Sequence, residues 1–215
     1  MPVGAISVTA WRTLIDNKIE RLPVRPSAIA RKCGVHIFTY WDYMKASGRS
    51  DIEVLQMFGS DGFTQLTKGD YLVFYNPCNS PARNRWTLAH ELGHILLGHI
   101  TKQQPTLCRG EVKDFYDIQA DNFAARLLCP EAIVHFCGVS SAAELKALTD
   151  LSKQASEIAW QDLCERRARG RFTLDPTEQL LLQQFQPFIA SYISEKINED
   201  PDLMPPTGML AQYRL

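Results

Sequence analysis

The sequence predicts an α+β fold in which helices and a small sheet come first and only helices follow. Two β-rich runs joined by a tight turn, and then a series of segments with helical spacing, give this order. Of the 215 residues, 45% are hydrophobic and 22% are charged, which is typical of a globular protein with a packed core. We therefore expect an α+β body with an all-helical C-terminal part.

The first segments predict two helices and a strand. Apolar side chains recur at helical spacing over Trp11–Leu22, and Pro23 ends the pattern. The segment Pro26–Cys33 has proline near its first turn and Gly34 after its last, which indicates a short helix. The run Val35–Trp41 is rich in β-branched and aromatic residues and predicts a strand.

A short helix and a β-hairpin come next. The helix is expected over Ser50–Phe58 and is closed by Gly59. Two strand-like runs, Phe63–Thr67 and Tyr71–Tyr75, flank the turn sequence Lys68-Gly69-Asp70. A turn of this composition between two β-rich runs predicts an antiparallel hairpin.

Two longer helices follow the hairpin. Ser80 is a good N-cap for a helix over Pro81–Leu97, with proline in the first helical position. Gly98 stands where a left-handed C-terminal cap belongs. A second long helix is expected from residue 111 or 112 to residue 128, where Cys129-Pro130 ends it.

The C-terminal third predicts further helices over Ala142–Leu151, Lys153–Arg167 and Pro176–Ser191. The first two, joined by a tight turn with Ser152 as N-cap, have the outline of a helix-turn-helix, so a DNA-binding regulator is one alternative. The arginines near this pair are Arg166, Arg167, Arg169 and Arg171. Because cations at a helix C-terminus also complement its dipole, we prefer the ordinary interpretation of a solvated helix end.

Charge and cysteine content favour a cytoplasmic protein. The formal net charge of −1 gives no reason to expect direct binding to nucleic acid or to an anionic membrane. The first residues lack a basic region of the secretory type, and no apolar run is long enough to span a bilayer. The six cysteines are scattered without a C-x-x-C pair, so we expect reduced thiols.

The most informative motif is His90-Glu91-Leu92-Gly93-His94 in the middle of the first long helix. Two histidines four residues apart lie about 40° apart around a helix axis, so both rings can reach one tetrahedral metal ion. Glu91 lies beside the metal but outside its ligand shell, where it can act as a general base on water. The competing interpretation is a chance match. The helix caps, the preceding strand and the acids of a later helix argue against it.

The second long helix offers the third ligand. Asp117, Ala120, Asp121 and Ala124 share one face, and the two alanines allow this helix to approach another closely. Asp117 can then reach the metal. Asp121, one turn later, can accept a hydrogen bond from the other ring nitrogen of a ligand histidine. We expect His99 to lie at the helix end, interacting with the helix dipole.

These segments together resemble the ImmA/IrrE family of metallo-endopeptidases. The resemblance is carried by residues 85–99, RWTLAHELGHILLGH, and by residues 119–130, QADNFAARLLCP. It extends to Leu22-Pro23-Val24, to the hairpin and to the segment Gln184–Ile189, so it covers most of the chain.

The resemblance implies a zincin-like metallopeptidase domain over residues 1–136 and a helical region over residues 137–215. In such a domain a small sheet packs on the metal-motif helix and on a second, ligand-bearing helix. It further implies that Zn²⁺ is the cofactor, that His90, His94 and Asp117 bind it, and that Glu91 is catalytic. Members of the family are cytosolic bacterial proteases, often encoded on phages and mobile elements, that cleave a helix-turn-helix repressor and so relieve transcriptional repression.

One departure from the family pattern keeps alternatives open. The family usually has glutamate where this chain has Asp117, which is one methylene shorter, so Glu111 and Asp114 are fallback ligands. A zinc-binding regulatory protein without peptidase activity is therefore the second alternative. The presence of Glu91 argues against it, since a purely structural zinc site needs no general base.

Overall fold

The structure is a computed structural model that describes residues 3–106, 115–169 and 172–199. Its elements in chain order are α1 (Val3–Asp16), α2 (Pro26–Lys32), β1 (His36–Thr39), α3 (Tyr40–Ser47), α4 (Asp51–Phe58), β2 (Gly62–Thr67), β3 (Asp70–Tyr75), α5 (Pro81–Leu96), α6 (Phe115–Leu128), α7 (Glu131–Phe136), α8 (Ala142–Thr149), α9 (Lys153–Ala168) and α10 (Pro176–Glu199). The mixed, helix-rich α+β class is confirmed. Across the described residues, no helix combines the length and apolar character needed to cross a membrane.

The chain packs as two units. Unit 1 consists of Met1–Thr13 and Arg25–Leu128, and unit 2 of Leu14–Val24 and Cys129–Leu215. Unit 1 contains the β-sheet and the helices α5 and α6. The predicted division into domains at residue 136 stays a prediction.

The sheet of unit 1 has three strands in the order β1-β3-β2. β2 and β3 form the predicted hairpin, with Phe63 opposite Phe74, and β1 pairs with β3 in parallel. Lys68 and Gly69 both have positive φ at the turn, which suits the right-handed twist of a two-residue hairpin connection. Tyr40, Phe58, Phe63 and Phe74 pack into a buried cluster with Val54, and this cluster anchors the hairpin in the core.

Two predicted element bounds in the N-terminal part are wrong. The first helix spans Val3–Asp16 instead of Trp11–Leu22, and it ends early because Lys18 adopts φ 52, a left-handed conformation that a right-handed helix does not continue through. The first strand ends at Thr39 instead of Trp41. There, Thr39 and Asp42 form a capping box that starts α3. α7 was not predicted. The predicted start of the second long helix lies outside the described residues.

The arginines near α8 and α9 act within unit 2. Arg166 donates to Glu131 at 3.0 Å and binds the carboxylate of Glu178 at 2.7 and 2.8 Å. Arg167 donates to His135 Nδ1 at 3.1 Å and to the carbonyl of Val139 at 3.0 Å. Both guanidinium groups therefore tie together segments of unit 2. In the same cluster, Arg169 is exposed. Arg171 lies outside the described residues.

His135 in this cluster makes stability depend on pH. Burial, followed by the charges of Arg167 and Arg166, lowers the pKa of His135 from 6.5 to about 4. Between pH 6.5 and pH 4 the histidine is protonated in the unfolded chain but not in the folded chain. The free energy of unfolding therefore falls as the pH drops from 6.5 to 4. Allowing for solvent screening at this half-buried ring, we expect a loss of about 1 kcal/mol.

Chemical denaturation of the wild type and of His135→Asn at pH 6.5 and pH 4.5 measures this effect. Asparagine keeps a hydrogen-bond acceptor but does not titrate, so the variant should lose about 1 kcal/mol less than the wild type on acidification. Equal losses in the two proteins would rule out His135 as the source.

Candidate metal centre and active site

Helix α5, which carries the histidine motif, is fixed at both ends by local interactions. Ser80 caps its first turn, as predicted. At the other end Gly98 has φ 74, its N–H donates to the carbonyl of Ile95, and the N–H of His99 donates to the carbonyl of His94. This pair of hydrogen bonds is the Schellman pattern, which stops the helix and turns the chain back over its last turn.

Three potential ligand atoms meet where α5 faces α6. His90 Nε2 lies 2.9 Å from His94 Nε2, and each of these nitrogens lies 3.5 Å from Asp117 Oδ1. All three side chains are buried, and they form a group that could hold a metal ion. In a tetrahedral zinc site with bonds of about 2.0–2.2 Å, ligand atoms lie about 3.3–3.6 Å apart. The two distances to Asp117 match this spacing, and the two histidine nitrogens would have to move apart by about 0.4 Å to hold the ion.

The reach of Asp117 depends on close contact between α5 and α6. A Cβ atom on Gly93 would lie 3.0 Å from Phe123 Cδ1, 3.2 Å from Ala120 Cα and 3.3 Å from Ala120 O. Gly93 and Ala120 thus bring the two backbones closer than larger residues permit. Since Ala120 lies one turn after Asp117, this contact brings the short aspartate side chain to the histidines.

Gly93→Ala is expected to destabilise the protein by about 1–3 kcal/mol and to weaken metal binding, because the added methyl group forces α6 away from α5. Gly4→Ala is the matched control, since a Cβ atom at Gly4 meets nothing within 4 Å. It should be neutral or slightly stabilising, as alanine favours helices. Thermal unfolding with and without zinc measures both effects. If Gly93→Ala behaved like Gly4→Ala, the close-contact argument would fail.

Asp121 lies where the sequence predicts a partner for a ligand histidine. Its Oδ1 lies 2.8 Å from His90 Nδ1 and accepts a longer hydrogen bond of 3.4 Å from Trp86 Nε1. With Nδ1 donating to Asp121, the Nε2 of His90 is left to face Asp117 and His94. A carboxylate in this position fixes both the tautomer and the orientation of the ring.

Glu91 is buried beside the three potential ligands and is held by the sheet. The hydroxyl of Thr64 on β2 donates to Glu91 Oε2 at 2.8 Å, and Thr64 is fully buried. Two residues earlier on the same strand, Gly62 packs against Thr87, one turn before Glu91. β2 therefore runs alongside α5. Sequence reasoning missed Thr64, because this contact joins residues 27 positions apart.

Comparison with known proteins identifies the segment that contains these elements. Residues 52–156 match the model of Peptidase_M78, described as the IrrE N-terminal-like domain. Residues 52–156 thus carry an IrrE N-terminal-like domain, and this match supports membership of the ImmA/IrrE family. Searches of curated proteins and of solved structures gave no match.

The match to the M78 domain confirms the resemblance seen in the sequence and supports a peptidase-type function. A peptidase acts on a polypeptide, and a metallopeptidase requires a metal ion. The matched segment contains all five residues that the sequence singles out in the motif and on α6, namely His90, Glu91, His94, Asp117 and Asp121. The fallback ligands Glu111 and Asp114 lie outside the described residues.

The two strands of the hairpin differ in whether they have an unpaired edge. β3 is paired on both edges, by β1 and by β2, so the segment Tyr71–Tyr75 does not offer a free edge. β2 lies at the sheet edge next to Glu91. Its far end is covered, since the N–H of Leu66 donates to the carbonyl of Pro105 at 2.7 Å and Gln65 bridges to Thr106. The part of β2 around Thr64 contacts Glu91, which neighbours the candidate ligand His90 on α5.

His99 in the M78 domain differs from its expected role at the helix end. It is buried, and its Nδ1 lies 3.0 Å from His94 Nδ1, while its Nε2 lies 3.1 Å from Gln119 Oε1. The Schellman turn at Gly98 explains the difference, because the chain does not continue as a helix but folds back toward His94. The glycine at position 98 was the feature of the sequence from which this turn, and so the position of His99, could have been predicted. The ring of Tyr116 lies 4.7 Å from the His99 ring, measured between centroids, at a tilt of 44°.

Proposed function

We propose that this chain is a zinc-dependent endopeptidase with a zincin-like catalytic domain over residues 1–136 and a helical region over residues 137–215. The observation that carries the proposal is the convergence of His90 Nε2, His94 Nε2 and Asp117 Oδ1 within 3.5 Å of one another, with Glu91 buried on the same helix. His90, His94 and Asp117 would hold the ion.

Each residue then has a defined role in hydrolysis. Zinc, when bound, supplies Lewis acidity that polarises a carbonyl group and makes water a stronger acid. Glu91 accepts a proton from the attacking water and then delivers it to the nitrogen of the leaving amine. One carboxylate thus acts first as the general base and then as the general acid. The hydroxyl of Thr64 holds Oε2 of Glu91 and fixes the orientation of that carboxylate. Asp121 holds the ring of His90.

The edge of β2 is the element that we propose aligns the substrate. Leu66 directs its N–H away from β3. The backbone N–H and C=O groups of successive residues in a strand point to opposite edges, so residues two apart point to the same edge. The N–H and C=O of Thr64, two residues before Leu66, therefore also face away from β3. The Thr64 side chain meanwhile contacts Glu91. An extended peptide paired with this edge would therefore present its backbone next to the proposed base.

The proposed substrate is a helix-turn-helix repressor in the cytoplasm, whose cleavage relieves transcriptional repression. Its support is the resemblance to the ImmA/IrrE family. The test is to incubate the purified chain with the repressor encoded beside its gene, with zinc and with a chelator. Cleavage at one site, abolished by the chelator and restored by added zinc, is the expected result. An intact repressor in the presence of zinc would contradict the proposed substrate.

The two alternative functions receive less support. DNA binding through α8 and α9 needs several exposed cations. Among the described arginines of this cluster Arg169 is exposed, but Arg166 and Arg167 bind groups within unit 2. A metal-binding regulator without peptidase activity does not need a buried carboxylate held beside the metal ligands. Glu91, with its hydrogen bond from Thr64, has that position.

A further inference from the structure

The strongest unassigned feature is a buried chain of polar groups behind His94. His94 Nδ1 lies 3.0 Å from His99 Nδ1, and His99 Nε2 lies 3.1 Å from Gln119 Oε1. The three side chains are 3%, 6% and 4% exposed, so water does not compete for these hydrogen bonds. The chain runs from α5 through the Schellman turn to α6, on the side of His94 that faces away from Asp117.

The direction of these hydrogen bonds follows from the proposed metal site. If His94 binds a metal through Nε2, its neutral ring carries its proton on Nδ1. That N–H donates to His99 Nδ1, so His99 must carry its own proton on Nε2. The Nε2–H of His99 then donates to the carbonyl oxygen of Gln119. Every donor in this chain meets an acceptor, and no other placement of the two ring protons leaves His94 Nε2 available to a metal.

Gln119 has a feature that ordinary packing does not explain. Among the described residues, its side-chain Nε2 is buried with no hydrogen-bond partner. An unsatisfied buried amide N–H costs about 1–3 kcal/mol, which an aliphatic side chain of similar size would avoid. The hydrogen bond that the described residues give to this side chain is the one through its oxygen, which accepts from His99.

We propose that His99 and Gln119 are positioning residues that hold His94 in the tautomer whose Nε2 faces the metal. This inference rests on the proposed metal site. The two ligand histidines are then oriented by different chemistry, His90 by the carboxylate of Asp121 and His94 by a neutral histidine and amide. The ring of Tyr116 contacts the His99 ring at a tilt of 44°.

The test is the zinc affinity of the full chain, measured by competition with a chromophoric chelator. His99→Phe and Gln119→Leu remove the acceptor of each hydrogen bond in turn, and both should weaken zinc binding by about 10–100-fold. Gln119→Glu is the matched rescue. Its carboxylate accepts from the same His99 N–H, and it should bind zinc at least as tightly as the wild type.

A purely structural role predicts a different pattern. It would lower the thermal stability of the metal-free variants and leave Gln119→Leu and Gln119→Glu with equal zinc affinity. Zinc affinities of His99→Phe and Gln119→Leu equal to that of the wild type would overturn the inference. Failure of the wild type itself to bind zinc would overturn the proposed function as well.

Imidazole ¹⁵N spectra of the zinc-loaded wild type give a second readout, which does not require a variant to fold. The expected result is a proton on Nδ1 of His94 and on Nε2 of His99. A proton on Nδ1 of His99 would overturn the inference, because that nitrogen could not then accept from His94.

Discussion

Glu91→Gln is expected to lower kcat by about 10²–10⁴-fold while zinc binding stays unchanged. Glutamine has nearly the shape of glutamate, and its amide oxygen still accepts the hydrogen bond from Thr64, so the fold and the metal site should persist. The amide does not accept a proton from water, so the proposed base is lost. Single-turnover cleavage of the repressor by zinc-loaded protein measures the effect.

The zinc content of the Glu91→Gln protein is the control for this experiment. If the variant binds one zinc ion per chain but does not turn over substrate, Glu91 acts in catalysis and is not needed for metal binding. Cleavage by Glu91→Gln at the wild-type rate would show that Glu91 is not the general base.

Asp117→Ala is expected to weaken zinc binding by more than about 100-fold. Replacing residues that merely orient a ligand typically costs 10–100-fold in affinity, so the loss of a direct ligand should exceed that range. The carboxylate oxygen of Asp117 lies 3.5 Å from both histidine nitrogens, and its removal leaves the ion with two protein ligands from this group. Chelator competition on the purified variant gives the affinity.

Asp117→Glu is the matched variant, because it keeps the carboxylate and changes only its reach. The contact between Gly93 and Ala120 sets a spacing that suits the shorter side chain, so we expect glutamate to bind zinc within about 10-fold of the wild type. If Asp117→Ala retained wild-type affinity, Asp117 would not be a ligand.

The sequence predicts well those elements whose ends are set by local interactions. The first turn of α5 follows from Ser80 and Pro81, and the end of α4 from Gly59. β1 was predicted too long because Tyr40 and Trp41 favour strands, whereas the capping box of Thr39 starts a helix that includes both. A local capping interaction thus overrode intrinsic β preference.

The same distinction applies to the candidate site. The pairing of His90 with His94 depends only on helix geometry, and the shared face of Asp117 and Ala120 predicts the approach of α6. The contact of Thr64 with Glu91 depends on how the hairpin packs on α5, and the sequence carries no periodic signal for such a contact. The position of His99 could be predicted in part, since it follows from the turn at Gly98, but its contact with Gln119 depends on how α6 packs.

X-ray absorption at the zinc edge of the stoichiometrically loaded wild type tests the central claim most directly. With two imidazoles and one carboxylate from this chain as ligands, the spectrum should show only nitrogen and oxygen neighbours at about 2.0–2.2 Å, with the scattering pattern of two histidine rings. Sulfur neighbours at about 2.3 Å, or fewer than two imidazoles, would contradict the assignment of His90, His94 and Asp117.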